Sequence, residues 1–365
     1  MFDIEKARSA GNLRSLKKSQ TNGKFIKING QKLLNLASND YLGIATNTNL
    51  RDEFLQIIKE KNLFFGTGAS RLVYTASSEF DELESYFEGK FSGKKAIIFN
   101  SGYAANLGVI SALCDEKTLF LADKLIHASM IDAFKLGGAN FKRYAHLDYE
   151  NLENLIKKNY DKFDNIIILS EAIFSMDGDE SDISRLCELK NRFEKVKIYL
   201  DEAHSFFALN EFGNAKTANL DTKIDFILIT LGKALGGEGG VMLCDEKTHQ
   251  IIVNSARSLI YSTAIAPVNI AWTNFVLSKD FSLLRENLRK NCEFMGLSKT
   301  QICPFVIGDS QKTLETSEKL AKFGYFIPAI RPPSVPQNSA RLRISLRGDL
   351  DISDLANLKA ILNEI

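Results

Sequence analysis

The sequence predicts an α/β protein built on a mostly parallel sheet beside a smaller α+β domain. Three observations carry that prediction. Between residues 95 and 245, short apolar runs alternate with longer amphipathic segments. The runs are continuous rather than alternating, as strands covered on both faces are. After about residue 265 the alternation gives way to helical stretches with isolated short strands. A chain of 365 residues, 45% of them hydrophobic, can bury a core large enough for more than one domain.

Taken in order, residues 1–43 hold a charged helix, a hairpin (GKFIKINGQKLLNLA) turning at Asn29-Gly30, and the loop SNDYLG at 38–43. The runs KAIIFN (95–100), KTLFLAD (117–123), FKRYAH (141–146), NIIILSEAIF (165–174), KIYLDEAH (197–204), DFILIT (225–230) and GGVMLC (239–244) read as seven buried strands. Between them YENLENLIKKNY (149–160) and ISRLCELKNRFEKV (183–196) are apolar at spacings of three and four, which predicts helices. Strands alternating with helices imply parallel crossovers. Beyond the pattern change, ICPFVIGD (302–309) and ARLRISL (340–346) read as strands of the second domain. The expected divisions are an N-terminal segment, 1–43, a large α/β domain, 44–265, and a small C-terminal domain, 266–365.

Composition narrows the function. Lysine plus arginine (46) nearly cancel aspartate plus glutamate (45), so nothing electrostatic points to nucleic acid or an anionic membrane as partner. No apolar run reaches transmembrane length, and the first residues lack a signal-peptide core, so the protein is expected in the cytoplasm. The 5 cysteines are dispersed without a CxxC pair, which predicts buried thiols rather than disulfides or a zinc site.

Ligands of such sheets bind beyond the carboxyl ends of the strands. There the sequence places Asp201 and His204 (DEAH), His127 (IHAS), and Lys233 in ITLGKALGGEGG, a lysine set between a buried strand and a glycine-rich turn. SGYAAN (101–106) opens a helix after the first strand and offers free backbone N–H groups to an anion. This set suits pyridoxal 5′-phosphate. Lys233 would supply the amine for the aldehyde, desolvated and hence nucleophilic. Asp201 would keep the ring nitrogen protonated and His127 would stack on the ring. Gly102, Tyr103 and the hydroxyl of Thr230 would serve the phosphate. His146 and His249 are expected to be structural.

The ordered motifs SNDYLG, GTGASR (66–71), SGYAAN, IHAS, SEAIFSMDGD (170–179), DEAH, TLGKALG, YSTA (261–264) and IRPPSVPQNSARLRIS (330–345) span nearly the whole chain. Together they resemble the α-oxoamine synthase family of pyridoxal-phosphate enzymes. The resemblance implies the aspartate-aminotransferase-like fold, known as fold type I, and the decarboxylative condensation of an amino acid with an acyl thioester. It implies Lys233 as the Schiff-base lysine, Asp201 as the pyridinium partner, His127 as the stacking residue and His204 as a contact of the phenolic oxygen, these four forming the catalytic set. It further implies Ser175 near the ring, Arg14 and Arg331 as substrate-binding, and Ser262 and Thr263 reaching a partner subunit's phosphate in a homodimer with shared sites. IRPPSVP (330–336), with PFVIGD (304–309), resembles the branch using L-alanine and a pimeloyl thioester, carried on coenzyme A or on acyl carrier protein. Other amino-acid and acyl pairs, such as glycine with acetyl-CoA, and transamination are the alternatives. The sequence departs from the family pattern at Tyr74, Thr75 and Phe80 and again at Phe207, Asn210, Asn214 and Ala215, where the acyl channel is expected to be reshaped.

Overall fold

The computed structural model describes residues 3–9 and 12–365. The chain forms two compact units. One comprises the described residues up to Leu50, Ser175–Asp179 and Phe281–Ile365; the other comprises Arg51–Phe174 and Glu180–Asp280. Compared with the divisions expected from sequence, residues 281–365 group with the N-terminal segment, and the helix Pro267–Leu277 stays with the larger unit.

The smaller unit opens with the short helix Ile4–Ser9 and three strands, β1 (Ser19–Asn22), β2 (Phe25–Ile28) and β3 (Gln31–Asn35). β2 and β3 are the predicted hairpin, paired antiparallel from Phe25↔Leu34 to Ile28↔Gln31. Its turn holds Asn29 and Gly30 at φ +49° and +85°, the conformation that matches the twist of the flanking strands and that Asn-Gly adopts readily.

The larger unit carries the seven predicted strands: β4 (Lys95–Phe99), β5 (Thr118–Asp123), β6 (Asn140–Tyr144), β7 (Asn165–Glu171), β8 (Val196–Asp201), β9 (Phe226–Thr230) and β10 (Gly240–Cys244). Their order is β4-β10-β9-β8-β7-β5-β6. Every pairing is parallel except those of β10, which runs antiparallel to both neighbours. The helices Gly102–Ala112 and Ala128–Gly137 contribute to the core that includes Phe99, Phe120, Leu169, Tyr199, Leu228 and Met242. Each such side chain, fully buried, contributes about 1.5–3 kcal/mol. Edge strand β6 is exposed along most of its length and carries Lys142 and Arg143, charges that discourage edge-to-edge pairing. The parallel crossovers bring the carboxyl ends of β4, β5, β7, β8 and β9 to one side of the sheet. Antiparallel β10 brings its first residue, Gly240, to the same side.

The rest of the smaller unit holds β11 (Ile302–Gly308), β12 (Tyr325–Phe326), β13 (Ala329–Ile330) and β14 (Ala340–Ser345). β11, β14 and β13 form an antiparallel sheet, whereas β12 joins β3 in parallel. The segment Ser175–Asp179 is bound to this sheet: Arg343 Nε donates to the carbonyl of Ser175 at 2.6 Å and Arg341 pairs with Asp177. Gly178, at φ +69°, packs so tightly on the carbonyl of Ile302 that a Cβ there would overlap it.

Candidate active site

A cleft of about 290 Å³ opens at the carboxyl side of the seven-stranded sheet, entirely within the larger unit. One wall is the start of the helix Gly102–Ala112. Ser101 caps it, its Oγ accepting from the amide of Ala104 at 3.0 Å, and leaves the first backbone N–H groups for another acceptor. Gly102 is required by packing: a Cβ there would overlap the methyl of Thr230. A Cβ on Gly240 would sit 2.8 Å from the Gly102 amide nitrogen. The helix start, β9 and β10 thus press together around a backbone cradle. Thr230 Oγ1 donates to the Ala203 carbonyl at 3.2 Å.

Lys233 stands on a turn whose backbone is fixed at several points. Leu231 N–H donates to Gly239 O at 3.0 Å, Gly237 N–H to Leu231 O at 2.9 Å, and Gly236 N–H to Lys233 O at 2.9 Å. The Trp272 indole donates to Gly236 O at 3.0 Å. Half-buried Lys233 places its Nζ 2.8 Å from Nε2 of buried His204. Asp201, buried at the end of β8, receives the Ala203 amide on Oδ1 at 2.9 Å and the Asn106 side chain on Oδ2 at 3.1 Å. His127 caps the helix Ala128–Gly137; its Nδ1 lies 2.8 Å from Ser129 Oγ and receives the Ser129 amide at 3.3 Å. The ring lines the cleft, and its burial there lowers the His127 pKa below 6.5. Lys233 adds to this effect, and Asp201 and Asp132 oppose it. Tyr103 meets the His127 ring edge-on and donates to Asp132 at 2.6 Å, which raises its own pKa.

The structure therefore gathers Gly102, Tyr103, His127, Asp201, His204, Thr230 and Lys233 around one cleft. Ser262 and Thr263 lie beside it: Asn100 Nδ2, on the cleft wall, donates to Ser262 Oγ at 2.9 Å and to Thr263 O at 2.7 Å. The other three expected residues belong to the smaller unit. Ser175 is held by Arg343 as described. Arg14 donates to Ser334 Oγ at 2.8 Å, and both Arg14 and Arg331 line a second cleft of about 640 Å³. Burial and the nearby Arg14 charge lower the pKa of Arg331. Of the residues departing from the family pattern, Phe80, Asn214 and Ala215 serve local structure. Phe80 is buried under the Arg71 guanidinium, and the Asn214 and Ala215 amides bind the carboxylate of buried Glu202. His146 pairs with buried Asp123 at 2.8 Å, away from the cleft lining.

Sequence reasoning gave no role to Asn100, Asn106 or Ser129. The available signal was periodic: Asn106 lies four residues after Gly102 in SGYAAN, one helical turn along the same face.

These groups fit pyridoxal 5′-phosphate. An amine, a buried carboxylate facing the same cleft and a cradle of free backbone N–H groups supply its three kinds of partner. Among the described residues no cluster suits a metal ion, and no helix is long and apolar enough to cross a membrane. All five cysteines are free, and four are buried.

The family of class I and II aminotransferases matches residues 31–361. A curated protein of Haemophilus influenzae, provisionally named 8-amino-7-oxononanoate synthase, is 39% identical over 367 residues, covering 96% of each chain. A serine palmitoyltransferase variant from S. paucimobilis, solved with bound PLP-myriocin, shares the fold at a TM-score of 0.87 and 20% identity, over 99% of this chain and 95% of its own. An 8-amino-7-oxononanoate synthase from Francisella tularensis shares it at a TM-score of 0.75 and 24% identity, over 91% of this chain and 97% of its own.

Proposed function

The chain belongs to the class I and II aminotransferase family, in its α-oxoamine synthase branch, and from that premise we propose that it condenses L-alanine with a pimeloyl thioester. The products are 8-amino-7-oxononanoate, carbon dioxide and the free thiol carrier, coenzyme A or acyl carrier protein, in a step of biotin biosynthesis. The observation that carries the reading is the meeting of Lys233, His204 and Asp201 on one cleft beside a capped helix start. The named relatives at 38–39% identity over nearly the whole chain support the choice of substrates.

When bound, pyridoxal phosphate supplies an electron sink for the negative charge left when the amino acid loses its Cα proton. Lys233 would hold the cofactor through its amine, and the same amine would take that proton as general base. His204 Nε2 lies 2.8 Å from the Lys233 Nζ and would steady the amine there. Asp201 would keep the ring nitrogen protonated, and His127 would cover a ring face. The N–H groups after Ser101 would take the phosphate at the positive end of the helix, and the Thr230 hydroxyl, which donates to the Ala203 carbonyl, would have to turn to join them. Arg331 and Arg14, which line the second cleft, would suit a carboxylate, for which the planar guanidinium fork offers two parallel N–H donors. In the proposed homodimer Ser262 and Thr263 serve the partner subunit's phosphate.

The test is a panel of amino acids and thioesters with the purified protein and cofactor. Thiol release that requires L-alanine and a pimeloyl thioester is the expected result. A preference for glycine with acetyl-CoA would move the protein to another synthase of the branch. Keto-acid formation from alanine without any thioester would make it an aminotransferase.

A further inference from the structure

The helix residue Asn106 is 1% exposed, and its side chain is fully occupied. Its amide nitrogen donates to Asp201 Oδ2 at 3.1 Å and to Ser129 Oγ at 3.0 Å; its oxygen accepts the Tyr199 hydroxyl at 2.6 Å. The orientation follows from the partners: the Asp201 carboxylate accepts, so the NH₂ end must face it, and Oδ1 is left for Tyr199. A consequence runs one bond further. The Ser129 amide donates to His127 Nδ1 at 3.3 Å and so makes it an acceptor; the Ser129 hydroxyl, 2.8 Å from the same nitrogen, then turns its proton to it and keeps its lone pairs for the Asn106 amide. Two donors aimed at Nδ1 leave it no room for a proton of its own.

We propose that Asn106 is a positioning residue for the cofactor ring: through Ser129 it fixes His127 as the neutral Nε2–H tautomer, and through its own amide it orients the carboxylate of Asp201. The inference rests on the reading of His127 and Asp201 as ring partners. Its value to the reaction is electrostatic. A protonated imidazole stacked on a protonated pyridine ring would bring two positive charges together, whereas the neutral ring stacks without that repulsion. The other charged or titratable groups facing His127 are Lys233 from the loop after β9, Asp201 from β8, Tyr103 from the neighbouring helix and Asp132 from its own. None of them donates a hydrogen bond to Nδ1; among the described residues Ser129 does so.

The experiment is a pH titration of the ¹⁵N-histidine-labelled full chain by long-range ¹H–¹⁵N correlation, before and after pyridoxal phosphate is added. With 4 histidines in the sequence, His127→Gln identifies the signal. Expected is an Nε2–H tautomer whose midpoint lies below that of an ordinary histidine. Ser129→Ala and Asn106→Leu should each raise the midpoint of the cofactor-free chain by roughly half a unit or more, the worth of one neutral hydrogen bond. Asn106→Leu should also weaken cofactor binding several-fold. An Nδ1–H tautomer in the unmodified protein overturns the proposal. So does an unchanged midpoint in Ser129→Ala, which decides alone if Asn106→Leu does not fold. Unaltered cofactor affinity in His127→Gln would overturn the ring-partner reading, and the positioning role with it, whatever the tautomer.

Discussion

Lys233 and His127 make the sharpest demands on the protein. Replacing Lys233 by Ala removes both the covalent anchor and the proposed base, so turnover should fall by about 10²–10⁴-fold or more. The visible absorbance that attachment to Lys233 gives the cofactor should vanish in the same variant. Retained turnover in a stopped-flow assay would refute the assignment. His127 carries a pKa prediction. Its folded value lies below 6.5 because the site penalises the charged ring. A depressed folded value means that the neutral form's contribution is complete above pH 6.5 and is lost as pH falls through the folded value. Cofactor affinity, followed by titration between pH 8 and 5, should therefore stay level down to 6.5 and decline only below it. His127→Gln should abolish that acid limb.

The elements explain why glycine and serine recur at the cleft. The start of the helix Gly102–Ala112 is capped by Ser101 and squeezed between Thr230 and Gly240. Ser101→Ala should cost about 1 kcal/mol of stability by leaving an amide of the first turn uncapped. Gly102→Ala forces a methyl against the Thr230 methyl, at a cost of about 1–3 kcal/mol, and should weaken cofactor binding at least tenfold. Adding Thr230→Ser removes the opposing methyl and should restore much of the affinity, provided the loss comes from overlap. No recovery in that double variant, measured by fluorescence titration, would show that Gly102 matters for another reason. Such tightness was only partly legible beforehand. The strands were readable because helices cover both faces of the sheet and leave unbroken apolar runs. The reversed direction of β10 was not, since an antiparallel strand buried on both faces has the same apolar composition as a parallel one.

For the whole molecule the cofactor is a source of stability. A ligand present at 100 times its dissociation constant adds about 2.7 kcal/mol to a protein that binds it only when folded. Saturation with pyridoxal phosphate should thus raise the melting temperature measurably, and less so in Lys233→Ala. The proposed homodimer has support in the larger unit. Phe64, Phe65, Val73 and Tyr261 are 62%, 76%, 71% and 73% exposed, and backbone bonds from Ala264 to Ala69 and from Val268 to Phe64 tie their two segments together. An apolar surface of this kind marks an interaction site. Light scattering should report a mass near twice 40.8 kDa; a monomer at micromolar concentration would sink the dimer.

The sequence by itself marked the seven strands of the large sheet, the β2–β3 hairpin and the helices within 149–160 and 183–196, because periodicity and turn chemistry act between near neighbours. It also singled out Lys233, Asp201, His204 and His127, because α/β topology puts strand ends on one side. Only the tertiary structure decided how those groups are held. Asn106 meets Asp201 across 95 residues and Tyr199 across 93, and the hydrogen bonds that constrain the proton on His127 depend on that meeting. It alone joined the described residues up to Leu50 to 281–365 through the parallel pairing of β3 with β12. Contacts between distant parts of a chain leave no local pattern, since their geometry exists only once the intervening chain has folded.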